Sequence, residues 1–123
     1  MSRIAKSLYD RYGLDLDSED VDELEGKLEY LKKCREGDKE RLAEAKEELR
    51  RAVDSMSVGV SYMLKHNEDP EKLNYKLNDY ITHIRIANEG VHKAEQDLAD
   101  RKAVIAEIVF RLNQIEVNKM ING

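Results

Sequence analysis

The three histidines and the one cysteine are the residues best suited to metal or nucleophilic chemistry, and their spacing supports neither. His66, His83 and His92 are never three or four residues apart, so no two of them share a helix face as paired ligands. Glu89 and His92 form one Glu-x-x-His pair, whereas a di-iron bundle needs two such pairs and two further glutamates. Cys34 stands alone and is expected to behave as a small apolar residue. We therefore expect no metal, no cofactor and no enzyme activity.

A run of acidic residues near the N-terminus is the strongest local charge feature. Residues 15–29 hold eight acidic side chains and one lysine, in a chain of net charge −5. A calcium loop is excluded because Asp20 stands where the loop needs glycine and Gly26 where it needs glutamate. The acids favour the start of a helix through its dipole. Alternatively, they form a docking surface for a basic partner, made of Asp15, Asp17, Glu19, Asp20, Asp22 and Glu23.

Composition narrows the class of protein to a mostly helical one. The chain has 123 residues, of which 38% are charged and 6% aromatic, with one proline and no tryptophan, which excludes a β-sandwich. No stretch approaches the roughly 18 apolar residues of a membrane span. The acidic balance disfavours nucleic-acid binding, since that affinity comes from neutralising phosphates. A lone cysteine fits a reducing compartment, so we expect a cytoplasmic protein. Small phage and viral assembly proteins resemble it in composition, which would place it in the host cytoplasm or the virion.

Two breaks divide the chain into helices. Pro70 follows Asp69, which can cap a helix that begins at the proline. Gly13 marks a second break, after which Asp17 or Ser18 can cap the next helix. The predicted fold is one all-α domain over 1–123, a short N-terminal helix followed by an antiparallel coiled-coil helical hairpin. Its parts are a short helix or arm over 1–13, a long helix over 18–66, a turn at 67–70 and a long helix over 70–118.

Heptads on both long helices predict how they pack. Apolar residues recur at alternating spacings of three and four over about six heptads, which is typical of a coiled coil. If the chain folds back at residues 67–69, the core positions of the two helices match in size. Large residues then face large ones, and small residues face small ones. The predicted pairs are Leu24 with Ile115, Leu31 with Ile108, Asp38 with Arg101, Ala45 with Ala94, Ala52 with Ala87, and Gly59 with Tyr80.

A polar layer interrupts this apolar seam. Arg35, Asp38 and Arg101 occupy core positions of the heptads. We predict that they set the register of the hairpin, because a slip of one heptad would leave a buried charge unpaired.

Apolar residues that a two-helix hairpin does not need fall into two groups. The first lies near the turn and is a candidate interface, made of Val53, Val58, Val60, Leu64, Ile81 and Ile86. The second lies near the other ends of the helices, where the N-terminal helix can dock on its own hairpin or on a neighbour's. The residues of that predicted docking are Ile4, Leu8, Tyr12, Val109, Phe110 and Val117.

These patterns favour a non-catalytic assembly protein, a hairpin that forms a homo-oligomer through its turn-end apolar residues. The alternative is a small acidic inhibitor or adaptor, such as a phage-type protein, that binds one larger protein, for example a nucleic-acid-handling enzyme.

Overall fold

The computed structural model of the protein describes residues 10–122, of which 89% are helical. A short helix, described from residue 10 to residue 12, precedes two long helices. These are α1 (Val21–Lys65) and α2 (Pro70–Asn122), which pack against each other as a helical hairpin. No strand occurs in the described range. The predicted fold class is therefore confirmed.

The start of α1 differs from the prediction. The helix begins at Val21 instead of residue 18. Asp20, and not Asp17 or Ser18, is the N-cap, since its Oδ1 accepts a hydrogen bond from the backbone N–H of Glu23 at 3.2 Å. Ser18 acts one step earlier, where its Oγ accepts from the N–H of Asp20 at 3.1 Å. Asp20 therefore caps the helix, and Asp22 and Glu23 lie in its first turn, where the dipole favours acids.

The turn between the helices ends α1 with a Schellman motif. The N–H of Glu68 donates to the carbonyl of Met63 at 3.1 Å, and the N–H of Asn67 donates to that of Leu64 at 3.4 Å. Asn67 has a φ of 50°, the left-handed conformation that this motif requires. An asparagine adopts it at lower cost than a β-branched residue would.

Asp69 then starts α2, as the sequence predicts. Its Oδ1 accepts a hydrogen bond from the N–H of Glu71 at 3.1 Å, and Pro70 is the first helical residue. The helix continues to Asn122, beyond the predicted end at residue 118. No proline or glycine lies between 118 and 122 to stop it.

The described chain forms two compact units. The open-end unit comprises residues 10–38 and 97–122, and the turn unit comprises residues 39–96. The core of the open-end unit is made of seam and loop residues from both chain segments: Leu14, Leu16, Leu24, Leu28, Leu31, Val104, Ile105, Ile108 and Ile115.

Leu14 and Leu16 enter this core from the loop that precedes α1. Leu14 is 0% exposed and Leu16 is also buried. Gly13 adopts a φ of 61°, which lets the chain leave the short helix and turn towards the seam. The guanidinium of Arg111 secures the loop by donating to the carbonyl of Asp17 at 3.3 Å.

The turn unit has a thinner core. Met63 and Val91 are its buried apolar residues. The four seam alanines of this unit are half-buried: Ala45, Ala52, Ala87 and Ala94. Small side chains allow close backbones but leave little apolar surface to bury, so much of the apolar surface in this unit lies outside the seam.

Candidate functional site

The turn unit carries a concentration of exposed apolar side chains on both helices. Of the six residues of the predicted turn-end interface, Val53, Val58, Leu64, Ile81 and Ile86 are exposed, whereas Val60 is half-buried. The structure adds two residues that the sequence analysis did not include. Tyr62 and Tyr75 are 60% and 76% exposed. Large exposed apolar groups gathered in one place mark a surface that binds another molecule.

The α1 residues of this surface form two stripes rather than one. A helix turns 100° per residue, so Val53, Val60 and Leu64 point in nearly the same direction. Val58 and Tyr62 point to the other side of the seam, about 120–180° away by the same geometry. The predicted interface therefore divides into an aliphatic flank and an aromatic flank, which no flat partner can cover together.

The aromatic flank is a groove between the two helices. It has a volume of about 760 Å³. From α1 it is lined by Val58, Gly59, Tyr62 and Met63. From the turn and α2 it is lined by Glu68, Asp69, Glu71, Lys72, Tyr75, Lys76 and Tyr80. Among the six predicted interface residues, Val58 alone lies in this groove. Its three tyrosines offer flat apolar surface together with hydroxyl groups, a combination that suits a protein partner.

Gly59 sets the floor of the groove by admitting the ring of Tyr80. A Cβ built on Gly59 would lie 2.7 Å from Tyr80 Cζ and closer still to the hydroxyl oxygen. The ring therefore occupies the space of the missing side chain, which is the pairing that the heptads predict. The tyrosine lies half-buried in the seam while it also lines the groove.

Replacing Gly59 with alanine should destabilise the protein, although alanine is the better helix former. The new methyl group would displace the Tyr80 ring, and overpacking of this kind costs about 1–3 kcal/mol. Alanine offsets at most about 1 kcal/mol of that through helix propensity. Gly90→Ala is the matched control, because a Cβ at Gly90 meets nothing within 4 Å. Chemical denaturation should show Gly59→Ala below and Gly90→Ala above the wild type in unfolding free energy; an equal gain for both would contradict the packing.

The polar layer lies in the open-end unit and joins two of its three predicted members. Asp38 is 2% exposed, and its Oδ2 accepts a hydrogen bond from Arg101 Nε at 2.9 Å. Arg101 Nη1 also donates to the hydroxyl of Tyr12, and its guanidinium carbon lies 5.7 Å from the centre of that ring. The hydrogen bond to Asp38 raises the pKa of Arg101, so the guanidinium stays charged. Setting the register remains a predicted role for this layer.

Arg35 does not join this hydrogen-bonded pair. Its Nε is buried without a hydrogen-bond partner among residues 10–122 and lies 3.9 Å from Glu36 Oε1. The third predicted member of the layer is thus half-buried beside the pair. Tyr12 takes the place that the sequence analysis gave to Arg35.

The six residues of the predicted N-terminal docking fall into three groups. Ile4 and Leu8 lie outside the described residues. Tyr12 packs against the core of the open-end unit and contacts Arg101. Val109, Phe110 and Val117 remain exposed, at 39%, 61% and 50%. The loop residues Leu14 and Leu16 enter the core beside the seam, on a different side of α2 from Phe110.

The acidic surface is partly used by the fold. Asp15 Oδ1 accepts a hydrogen bond from the N–H of Asp17 at 2.9 Å, and Asp20 caps α1. The exposed side chains that take no such part are those of Asp17, Glu19, Asp22 and Glu23. A basic partner would therefore meet these four carboxylates together with that of Asp20, which caps the helix but stays exposed, whereas Asp15 is half-buried.

The described residues, 10–122, show neither a cluster of metal ligands nor a membrane-spanning helix. Within residues 10–122, no three His, Cys, Asp or Glu side chains cluster as metal ligands. No described helix is both long and apolar enough to cross a bilayer.

No protein-family model matches the chain, and no significant similarity was found to a curated protein or to a solved structure. The function must therefore be inferred from the chain's own residues.

Proposed function

We propose that the protein is a non-catalytic assembly protein, a helical hairpin that self-associates through the apolar surface near its turn. The observation that carries the proposal is the exposure of Val58 (71%), Leu64 (62%) and Tyr75 (76%) within one compact unit. Burial of such side chains is worth about 25 cal/mol per Å². Since most soluble oligomers are homo-oligomers, a second copy is the simplest partner. A lone cysteine and the acidic charge favour a cytoplasmic site of action without nucleic acid.

A variant that places a charge on each flank tests the proposal. In this double variant, Val58→Asp changes the aromatic flank and Leu64→Asp changes the aliphatic flank. Both positions are exposed, so the hairpin itself should be retained. We expect a folded monomer, because two carboxylates cannot be desolvated at an apolar interface without partners. Light scattering measures the mass, and circular dichroism measures helix content.

Phe110→Asp and Val117→Asp form the matched control, since both positions are exposed but lie in the open-end unit. This control should keep the wild-type mass. Retention of the wild-type mass by the turn-unit variant, or dissociation of the control, would contradict the proposal.

The acidic adaptor is the second candidate. The exposed carboxylates of Glu19, Asp22 and Glu23, close together at the start of α1, favour it because they would complement a basic surface on a larger protein. A wild-type chain that stays monomeric at every concentration would favour this function over assembly.

A further inference from the structure

The aliphatic flank continues from α1 onto α2. Gly59 admits the ring of Tyr80, and this register also places Val60 beside Ile81, since each is the next residue on its helix. A step of one residue turns both antiparallel helices towards the same side of the seam. Val60 is half-buried and Ile81 is 54% exposed, so the two helices present apolar side chains together on this side.

This flank is poor in charge. On α1, the residues on this side from Val53 to Leu64 carry no charge. On α2, Arg85 is the one charged residue on this side between Asn74 and Asn88. Charged residues make up 38% of the chain, so their scarcity here is specific to this face. Depletion of charge is typical of the buried core of a protein–protein interface.

The aromatic groove differs from the aliphatic flank in this respect. Five of the residues that line the groove are charged: Glu68, Asp69, Glu71, Lys72 and Lys76. A second copy that covered the groove would have to desolvate each of these charges or supply it with a partner. The aliphatic flank carries no such penalty, so it is the better surface for self-association.

We propose that a second copy covers the aliphatic flank, about a two-fold axis that runs along the hairpin between the two copies. This axis places α1 of each copy antiparallel to α2 of the other and keeps residues at equal levels along the hairpin together. Val60 then packs on Ile81 of the second copy, and each contact occurs twice, as two-fold symmetry requires. Arg85 faces Ser57 of the second copy, whose hydroxyl can accept a hydrogen bond. This inference rests on the proposed self-association and specifies the flank that mediates it.

The charges at the edge of the flank complement each other in this arrangement. Lys46 lies two heptads before Val60, and Glu95 lies two heptads after Ile81, so both are on this side and at the same level. Both are exposed, and neither forms an ion pair with a residue between 10 and 122. The axis places Lys46 of each copy opposite Glu95 of the other, which gives two reciprocal ion pairs. An axis across the helices would separate these charges, because α1 would then face α1.

The level between these ion pairs and the apolar residues places Arg50 opposite His92 of the second copy. The guanidinium of Arg50 already donates to Glu47 at 2.9 Å and to Asp54 at 2.7 Å. Its charge is therefore balanced within its own helix, and this level brings no unpaired arginine to the interface.

Ile81→Asp in the full-length chain tests the flank. Each copy would bury a carboxylate against Val60 of the other, so the dissociation constant should rise about a hundredfold or more. Ile86→Asp is the matched control, because Ile86 is 58% exposed on the same helix but points about 140° away from Ile81. The control should leave the dissociation constant unchanged. Val53→Asp makes the same test from α1 and decides it if Ile81→Asp loses helix content.

Charge reversal tests the direction of the axis. Lys46→Glu alone and Glu95→Lys alone each place like charges opposite each other twice, so each variant should weaken the dimer roughly tenfold. The two variants mixed in equal amounts should form a heterodimer tighter than either homodimer, because every such contact then joins opposite charges. Within each chain the two residues still carry like charges, so a gain on mixing comes from contacts between copies.

Sedimentation velocity over a concentration series gives the dissociation constants, and circular dichroism measures the helix content of each variant. A wild-type dimer that Ile81→Asp leaves intact, or that Ile86→Asp dissociates, would overturn the flank while leaving self-association in place. Charge variants that associate no better when mixed would overturn the axis. A wild-type chain that is monomeric throughout would overturn both this inference and the proposed function.

Discussion

Arg101→Met should lower the free energy of unfolding by about 3 kcal/mol or more, as is usual when a buried ion pair loses one partner. The variant removes the guanidinium whose Nε donates to Asp38, and that carboxylate has only 1% of its side chain exposed. A buried carboxylate that loses a charged donor pays the cost of its desolvation without that compensation. Chemical denaturation of the full chain at one fixed protein concentration measures the loss.

Two further variants separate the ion pair from simple packing. Arg85→Met removes an exposed arginine and should change the free energy of unfolding by less than about 0.5 kcal/mol. Asp38→Leu combined with Arg101→Met should recover most of the stability, because an apolar pair of similar size can replace a buried ion pair. A single variant as stable as the wild type would show that Asp38 does not depend on Arg101.

Leu14→Ala should cost about 2–5 kcal/mol, the range for large-to-small changes at fully buried sites. Leu14 lies outside both long helices, so the decrease in unfolding free energy of this variant measures how much the loop before α1 contributes to the core. Met120→Ala is the control in the same unit, since Met120 is 78% exposed and its truncation should have little effect. Equal and small losses for the two variants would mean that Leu14 is not part of the cooperative core.

The seam of the hairpin could be predicted because each seam position restricts the others. Heptad spacing defines the buried face of each helix, and one fold-back pairs Asp38 with Arg101 and Gly59 with Tyr80. The structure places both of these pairs in contact. Such pairs are informative since a charge or a missing side chain tolerates few partners, whereas leucines tolerate many.

The burial of Leu14 and Leu16 could not be predicted in the same way. They lie in a loop, where no periodicity indicates which side chain points inward. The left-handed Asn67 is different, because asparagine is a recognised helix-terminating residue and its place after α1 was a usable signal.

The groove was also missed, for a physical reason. Tyr62 and Tyr75 lie outside the heptad core positions. Tyrosine is tolerated on a solvent-exposed surface because its hydroxyl group remains hydrated, so these two residues gave no signal of a groove. Only the packing of the two helices around Gly59 brings these residues to one groove. Sequence spacing located the turn-end surface but did not separate its two flanks.

The solution mass of the purified chain, measured by light scattering over a concentration series, tests the central claim most directly. Self-association through the turn unit predicts a discrete multiple of the 14.3 kDa chain mass, approached as the concentration rises. A mass that stays at 14.3 kDa across the series would contradict it.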